Sequence, residues 1–285
     1  MDILFILKAV LLGIVEGLTE FLPISSTGHL IILGQILGMP DNEYMKMFDV
    51  VVQLGAILAV LVLFRKRIST QLKGLLRGRP TAWRFVWIWF LGCLPAAVAG
   101  FFFHDLIKKY LMNIPGVVAA LIVGAILMLL LEKFLAPRAK YSELEEVTPL
   151  RSLAVGTAQV FSLWPGMSRS ASTIMGGWAV GMKTALAAEF SFFLAIPIMF
   201  GASGYSLFKF VRSAPAGGEV GLATAFSATE IVALVLGFIT AFAVAMLVVE
   251  AFMHFLRNHK LAVFAWYRCG LAAVLLLLMF TGVIR

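Results

Sequence analysis

The chain has 285 residues, of which 61% are hydrophobic and only 13% charged, and its formal net charge is +8. A mean hydropathy of +0.99 excludes a soluble globular domain, which carries nearly twice that share of charge and at this length still exposes a large polar surface. The positive balance then belongs mainly to membrane topology and not to nucleic-acid binding, because Lys and Arg gather in the gaps between apolar runs.

A helical crossing of a bilayer needs about 20 apolar residues. Taken in chain order, the stretches 3–22 and 26–38 are too short or too interrupted, whereas 48–64, 85–103 and 114–135 approach or reach that length. The stretches 150–164 and 170–182 again fall short, and 187–208, 226–251 and 261–284 are again long. Short, short, long, long, long thus occurs twice. The halves also match in detail: Gly13-x-x-Glu16 pairs with Gly156-x-x-Gln159, and "LPISSTGH" (22–29) lies where "WPGMSRSAST" (164–173) lies in the second half.

These features predict an all-α polytopic membrane protein forming a single membrane domain over 1–285, with one repeat in 1–140 and a second in 150–285. Each half holds a re-entrant half-helix pair plus three transmembrane helices. Three crossings are an odd number, so the second half begins on the opposite face, which makes an inverted repeat whose broken helices meet near the midplane. Irregular backbone at that depth must be buried in protein or line a polar cavity.

Orientation follows the basic residues. The 65–84 loop holds Arg65, Lys66, Arg67, Lys73, Arg77, Arg79 and Arg84 with no acid, and is expected in the cytoplasm together with 136–151 and 252–260. The 104–113 loop, with Lys108 and Lys109 beside Asp105, and the 39–47 loop fall outside. The first half-helix pair then enters from the outer face and the second from the cytoplasm. Cys93 and Cys269 each sit in an apolar run and are expected as free buried thiols. A removable signal peptide is not expected, since no small-residue cleavage site follows the first apolar stretch.

The run "GIVEGLTEFLPISSTGHLI" (13–31) concentrates scarce polar chemistry between apolar flanks. Glu16 and Glu20 are four residues apart and share a helical face, and an intramembrane carboxylate is a functional candidate; two together call for a shared proton, a cation or an arginine. The bland alternative is a pair of interfacial glutamates reaching water. Pro23 ends the first half-helix, and Ser25 or Ser26 can cap the second. His29 follows Ser26 by three residues, so both can face one space. In "PGMSRSAST" (165–173), Pro165 and Gly166 break the chain and Ser168 or Ser170 can cap the next half-helix. Arg169 sits at that break, and its rigid fork matches a phosphate. Two half-helix N-termini also favour an anion. Acids, a hydroxyl, an imidazole and an arginine together point to phosphoryl chemistry. Asp49, Gln53 and Glu189 are candidates to line the cavity, Gln159 to support it, and Arg268 to pair with an acid such as Glu250 or Glu230. The 138–149 and 212–225 stretches read as solvated loops.

At these residues the chain resembles the undecaprenyl-diphosphate phosphatase family, the bacitracin-resistance membrane phosphatases. "EGLTEFLPISSTGH" (16–29) is similar to its first signature and "PGMSRSAST" (165–173) to its second, with "FDVVVQLGAILAV" (48–60), "EFSFFLAIPIMFGA" (189–202) and "YR" (267–268) as further segments. The second signature departs from the commoner form at Ala171-Ser172, where Gly-Ala is usual. The resemblance implies hydrolysis of undecaprenyl diphosphate to undecaprenyl phosphate, recycling the lipid carrier of cell-wall synthesis, and a divalent cation, Mg²⁺ or Ca²⁺. It implies a multi-pass protein of the bacterial cytoplasmic membrane with its site facing outward. Carried onto this chain, the catalytic set is Glu16, Glu20, Ser26, His29 and Arg169, with Glu16 and Glu20 on the metal and Ser25, Thr27, Ser168, Ser170 and Thr173 holding substrate. The expected partners are a polyprenyl diphosphate lipid, the bilayer and a second copy in a homodimer, with no nucleic acid. The nucleophile stays open among Ser26, His29 and water. A transporter or flippase of a phosphorylated polyprenyl lipid is the competing class, because broken helices in inverted repeats are chiefly a transporter architecture. The other membrane lipid phosphatases, with PSGH and SR-x5-H, are excluded: five residues after Ser168-Arg169 stands no histidine.

Overall fold

The computed structural model describes residues 2–213 and 226–282, apart from the side chains at 104, 105, 108 and 213. Among these residues lie eleven α-helices: α1 (Ile3–Thr19), α2 (Ser26–Ile36), α3 (Glu43–Leu63), α4 (Arg65–Leu76), α5 (Pro80–Tyr110), α6 (Ile114–Phe134), α7 (Pro149–Gln159), α8 (Arg169–Ala179), α9 (Thr184–Ser213), α10 (Ala228–Phe255) and α11 (Ala262–Phe280). Six of them, α3, α5, α6, α9, α10 and α11, are long and apolar enough to cross a membrane. The chain is an all-α, multi-pass membrane protein.

Helix starts carry the side chains that such starts need. Asp2, Asn42, Asn113, Thr148 and Ser227 each accept a hydrogen bond from the backbone N–H three residues on. Pro80, Pro115 and Pro149 occupy first turns, where a missing N–H costs nothing.

Lipid offers helices no hydrophobic reason to associate, so close backbone approach across small residues has to supply it. The short helix α1 lies along α10, and the short helix α7 lies along α5. Both crossings are glycine on glycine. A Cβ on Gly13 would stand 2.4 Å from the carbonyl oxygen of Gly237, and one on Gly156 would stand 2.3 Å from that of Gly92. Gly13 and Gly156 head the two matched G-x-x-E/Q segments, so the equivalent residue makes the equivalent contact in each half. α8 runs through the middle of the protein, with every residue from Ser170 to Trp178 buried, against Phe190, Phe192 and Phe193 of α9.

The connecting segments are more ordered than composition suggests. The basic stretch 65–84 is mostly helix: α4 occupies its first half, and Arg67 forms an ion pair with Glu189 of α9 and a second, 3.6 Å long, with Glu145. Arg84 lies inside α5 and donates to the carbonyls of Glu145 and Val147 at 2.9 and 2.8 Å. α5 stays helical to Tyr110, which reduces the expected 104–113 loop to three residues, 111–113. The 138–149 stretch is fastened down: Leu144 and Val147 are buried, Tyr141 bridges to Met182, and the Arg151 guanidinium lies 3.6 Å over the Tyr141 ring. Its glutamates read as a solvated loop, but the two apolar residues between them reach the core. Nearly all of 212–225, also read as solvated, falls outside the described residues. Cys93 and Cys269 are free, as expected, and half-buried.

The glycine crossings give a direct test. Gly156→Ala is expected to lower the thermal unfolding midpoint of the detergent-solubilised protein by the equivalent of about 1–3 kcal/mol, the usual cost of overpacking. Gly270→Ala on α11, where a Cβ would meet nothing within 4 Å, is the control expected to leave the midpoint in place or raise it.

Candidate active site

α1 ends at Thr19, and the chain turns through Glu20 to Ile24 before α2 begins; Pro23 has no N–H to continue a helical ladder. α7 ends at Gln159, passes through a short 3₁₀ turn (Val160–Leu163) and breaks at Pro165-Gly166 before α8. Both new helices start the same way. Ser25 and Ser168 each have φ 74°, and each accepts a hydrogen bond through its side chain from the N–H three residues on, Gly28 and Ala171, at 3.2 Å. Among the described residues these are the only non-glycine positions with positive φ. A left-handed backbone at a β-carbon costs of order 1–3 kcal/mol and persists where the surroundings demand it, often at functional sites.

The two breaks meet. The Nη2 of Arg169, at the start of α8, donates to Oε1 of Glu20 at 2.9 Å, and its Nη1 donates to the Ser191 carbonyl at 3.0 Å. The other carboxylate oxygen of Glu20 accepts from the Ser26 hydroxyl at 2.5 Å. Ser170 donates to the Leu22 carbonyl at 3.0 Å, tying the second break to the first. Arg169 keeps one buried donor, Nε, without a partner among the described residues. Around this centre lies a cavity of about 470 Å³ whose polar lining is Glu20, Ser25, Ser26, Thr27, Gln53, Gln159, Ser162, Ser168 and Arg169.

Of the expected residues, Glu20, Ser25, Ser26, Thr27, Ser168 and Arg169 line this cavity. Ser170 and Thr173 lie behind it: Ser170 holds the Leu22 carbonyl, and Thr173 Oγ1 lies 2.6 Å from Ser191 Oγ. His29 is turned elsewhere. Its Nδ1 lies 2.7 Å from the Ser25 carbonyl, its Nε2 lies 2.7 Å from the Tyr267 hydroxyl, and the two rings stack at an interplanar angle of 10°. The carbonyl can only accept, so Nδ1 carries a proton, and Nε2 is engaged by the Tyr267 hydroxyl. Neither nitrogen is left to take a proton from Ser26. Gln53 and Gln159 do line the cavity, whereas Glu189 is engaged by Arg67.

Arg268 departs from expectation altogether. Among the described residues it pairs with no acid: it is fully buried, and all five of its N–H groups go to backbone carbonyls. Nε donates to Leu121 (3.2 Å), Nη1 to Pro23 (3.3 Å) and Met167 (2.9 Å), and Nη2 to Ala120 (2.9 Å) and Gly166 (3.1 Å). Three of these carbonyls, Pro23, Gly166 and Met167, stand at the two helix breaks, gathered around one planar fork. Gly124 makes room for it, since a Cβ there would stand 2.0 Å from Nη2. An arginine in an apolar run and its place in the "YR" segment (267–268) were the sequence signals at this position, and signals of that kind do not name the partner. Ser162 and Ser191 carried none.

Glu16 is the candidate anchor for a metal. It is fully buried, neither carboxylate oxygen has a hydrogen-bond partner among the described residues, and it lies close enough to Glu20 and Asp49 to interact with both. Among the described residues no three His, Cys, Asp or Glu side chains form a closed cage. Mg²⁺ is commonly held by one or two carboxylates, with phosphate oxygens and water completing its shell. Glu16 and Glu20 are such a pair of carboxylates, with Glu20 on the cavity wall, where both its oxygens already accept hydrogen bonds, and Glu16 buried outside the cavity lining.

Comparison with known proteins agrees with this geometry. Residues 9–274 match the family described as "Bacitracin resistance protein BacA". The chain is similar to the "Undecaprenyl-diphosphatase" of Clostridium perfringens (strain SM101 / Type A), with 43% identity covering 99% of each chain. It is 44% identical to "Undecaprenyl-diphosphatase 2" of Clostridioides difficile (strain 630), covering 100% of this chain and 98% of that one. With the "Undecaprenyl-diphosphatase" of Sorangium cellulosum (strain So ce56) the identity is 48%, covering 96% of this chain and 86% of the other.

Each buried carbonyl stripped of its donor costs about 1–3 kcal/mol. Arg268→Met is therefore expected to fail to accumulate as monodisperse protein in detergent. Arg268→Lys, whose ammonium has three donors in place of five, is expected to fold with a lowered unfolding midpoint.

Proposed function

The chain belongs to the BacA family of bacitracin resistance proteins, and from that footing we propose that it is a membrane undecaprenyl-diphosphatase. It hydrolyses undecaprenyl diphosphate to undecaprenyl phosphate and phosphate, recycling the lipid carrier of cell-wall synthesis. The observation that carries this reading is the Ser26–Glu20–Arg169 chain at the mouths of two half-helices. It joins a nucleophile, a proton acceptor and a phosphate-binding fork whose Nε is still free. A protein that only carried the lipid would need the fork and the N–H groups but not the serine and carboxylate.

The terminal phosphate binds at Arg169 and the N-terminal turns of α2 and α8, which supply fixed positive charge where negative charge develops. Ser26 Oγ attacks the terminal phosphorus while its proton passes to Oε2 of Glu20. The bond from that phosphorus to the bridging oxygen breaks, and the electron pair leaves with undecaprenyl phosphate. Water then cleaves the phosphoserine and restores the Ser26 hydroxyl. His29 acts at one remove in this scheme: bonded to the Ser25 carbonyl and to Tyr267, it steadies the turn that presents Ser26. A divalent cation, Mg²⁺ or Ca²⁺, held by Glu16 and Glu20 would neutralise phosphate charge.

We read the two halves as an inverted repeat and the site as facing the outer side of the cytoplasmic membrane. The basic residues of α4 and its flanks mark the cytoplasmic end, and α5 and α9 line the cavity from their middle turns, at 93–97 and 197–202, well beyond their starts at that end.

Two measurements test the chemistry. Arg169→Lys is expected to lower phosphate release from a long-chain polyprenyl diphosphate, assayed with purified protein in detergent, by about 10²–10³-fold, as when a preorganised transition-state donor is lost. Acid quench of the wild-type enzyme with substrate labelled in its terminal phosphate is expected to trap label on the protein, and Ser26→Ala to trap none. A wild-type enzyme that turns over without trapping label under any quench condition uses water directly.

A further inference from the structure

The Ser26–Glu20–Arg169 chain and the two serine caps do not account for every polar group on the cavity wall. Gln159, the last residue of α7, lines the cavity while only 1% exposed. Both ends of its carboxamide, Nε2 and Oε1, are buried without a hydrogen-bond partner among the described residues. Folded proteins seldom leave a buried amide with donors and acceptor both unmet, because such a group bears its desolvation without return.

The backbone around Gln159 is held from three sides. Gly156, three residues earlier, crosses Gly92 of α5 in backbone contact. Ala158 packs on α8, where a Cβ at Gly176 would stand 2.6 Å from its own. Ser162 donates to the Gln159 carbonyl at 2.6 Å and so closes the turn that follows α7. A rigid mount thus presents an unpartnered carboxamide to the cavity. Its counterpart in the first half, Glu16, is buried as well but lies outside the cavity lining.

Charge decides what this group would hold. A lipid diphosphate brings two phosphoryl groups to the cavity. The terminal one has Arg169 and the N–H groups of α2 and α8. The second, which stays on the lipid, meets no further cationic side chain, because Arg169 is the only one among the described residues lining the cavity. A carboxamide supplies two donors and no charge. As the bridging bond breaks, negative charge grows on the departing phosphate, and a fixed donor there favours the transition state. A neutral donor also holds an anion less tightly than a charged one, so the monophosphate product can leave. The wall runs in the matching order: after Gln159 the same segment contributes Ser162 and then Leu163, from amide through hydroxyl to hydrocarbon.

We propose that Gln159 binds the second phosphate: its carboxamide N–H groups donate to the phosphoryl oxygens that remain with the lipid, beside the terminal phosphate held at Arg169. The inference rests on the lipid-diphosphate reading of the site and names the residue that receives the leaving group.

Two soluble probes separate the two positions. Methylenediphosphonate carries two phosphoryl groups and resists hydrolysis, whereas inorganic phosphate carries one. Each is measured as a competitive inhibitor of phosphate release from a long-chain polyprenyl diphosphate by purified protein in detergent. Gln159→Met is expected to raise the inhibition constant of methylenediphosphonate by about tenfold, the scale of one hydrogen bond to a charged group, and to leave that of phosphate within about twofold. Gln159→Glu, equal in length but negatively charged, is expected to raise the former further. Parallel rises for both probes place Gln159 at the terminal phosphate, and no rise for either takes it off the substrate; both overturn the proposal. So does a wild-type protein that methylenediphosphonate inhibits no better than phosphate. Met fills the same space without unmet polar atoms, so the unfolding midpoint of Gln159→Met is expected to hold or rise, and a fall marks a structural residue instead. A wild-type protein that releases no phosphate from the lipid diphosphate defeats the functional reading itself.

Discussion

A helix that stops inside a membrane leaves backbone carbonyls and N–H groups with no water to receive them, and the rest of this structure is arranged around that need. Two helices stop here, at Thr19 and at Gln159, and two restart, at Ser26 and Arg169. The restarting N–H groups are capped by Ser25 and Ser168. Carbonyls from both breaks converge on Arg268, which has five donors and uses all five. Burying an uncompensated guanidinium is ordinarily prohibitive, but a ring of carbonyl dipoles is a form of compensation, and no acid is needed. The site thus stands on a cation that takes no part in its chemistry, which is why Arg268 and Arg169, alike in type and depth, have opposite tasks.

The tight crossings serve the same end. α1 and α7 are too short to span a bilayer, so each must be held against a long helix to keep its break at depth. Gly13 on Gly237 and Gly156 on Gly92 allow backbone contact, and that contact is what fixes Glu16 and Gln159, three residues further along, in the interior. From glycine to buried polar group is less than one helical turn. A shift in the crossing would carry the polar group with it.

Most of the architecture could be read from the residues because the bilayer imposes a length rule, and the six long and four short apolar runs obey it. The breaks could be read too, since Pro23 and Pro165-Gly166 are unmistakable punctuation. Partner identity could not. His29 stands three residues from Ser26, a spacing that suggests cooperation, yet the first turn of α2 directs its ring to the Ser25 carbonyl and to Tyr267, more than 200 positions away in sequence. Glu189 and Arg67 were each legible as charged residues near a membrane boundary, and only packing of α4 on the bundle joins them. Leu144 and Val147 were hidden among glutamates. In each case the missing information is tertiary: the residue type announces a need, and the fold decides who meets it.

Under the proposed repeat and the proposed reaction, the two half-helices also explain how an approximate duplication can host a reaction that is itself asymmetric. Ser25 and Ser168 have the same φ and make the same cap, so the next residue in each half occupies the first helical position at the mouth of the break. In the first half that residue is Ser26; in the second it is Arg169. Phosphoryl transfer needs an attacking group in line with the leaving oxygen and a cation for the charge on the equatorial oxygens. A strictly repeated sequence would supply two of one and none of the other. The same divergence appears on the helices that lead into the breaks, where Glu16 answers Gln159: a buried carboxylate in the half that holds the serine and a neutral carboxamide in the half that holds the arginine. The shared backbone provides the opposed geometry, and two substitutions at matched positions give it direction.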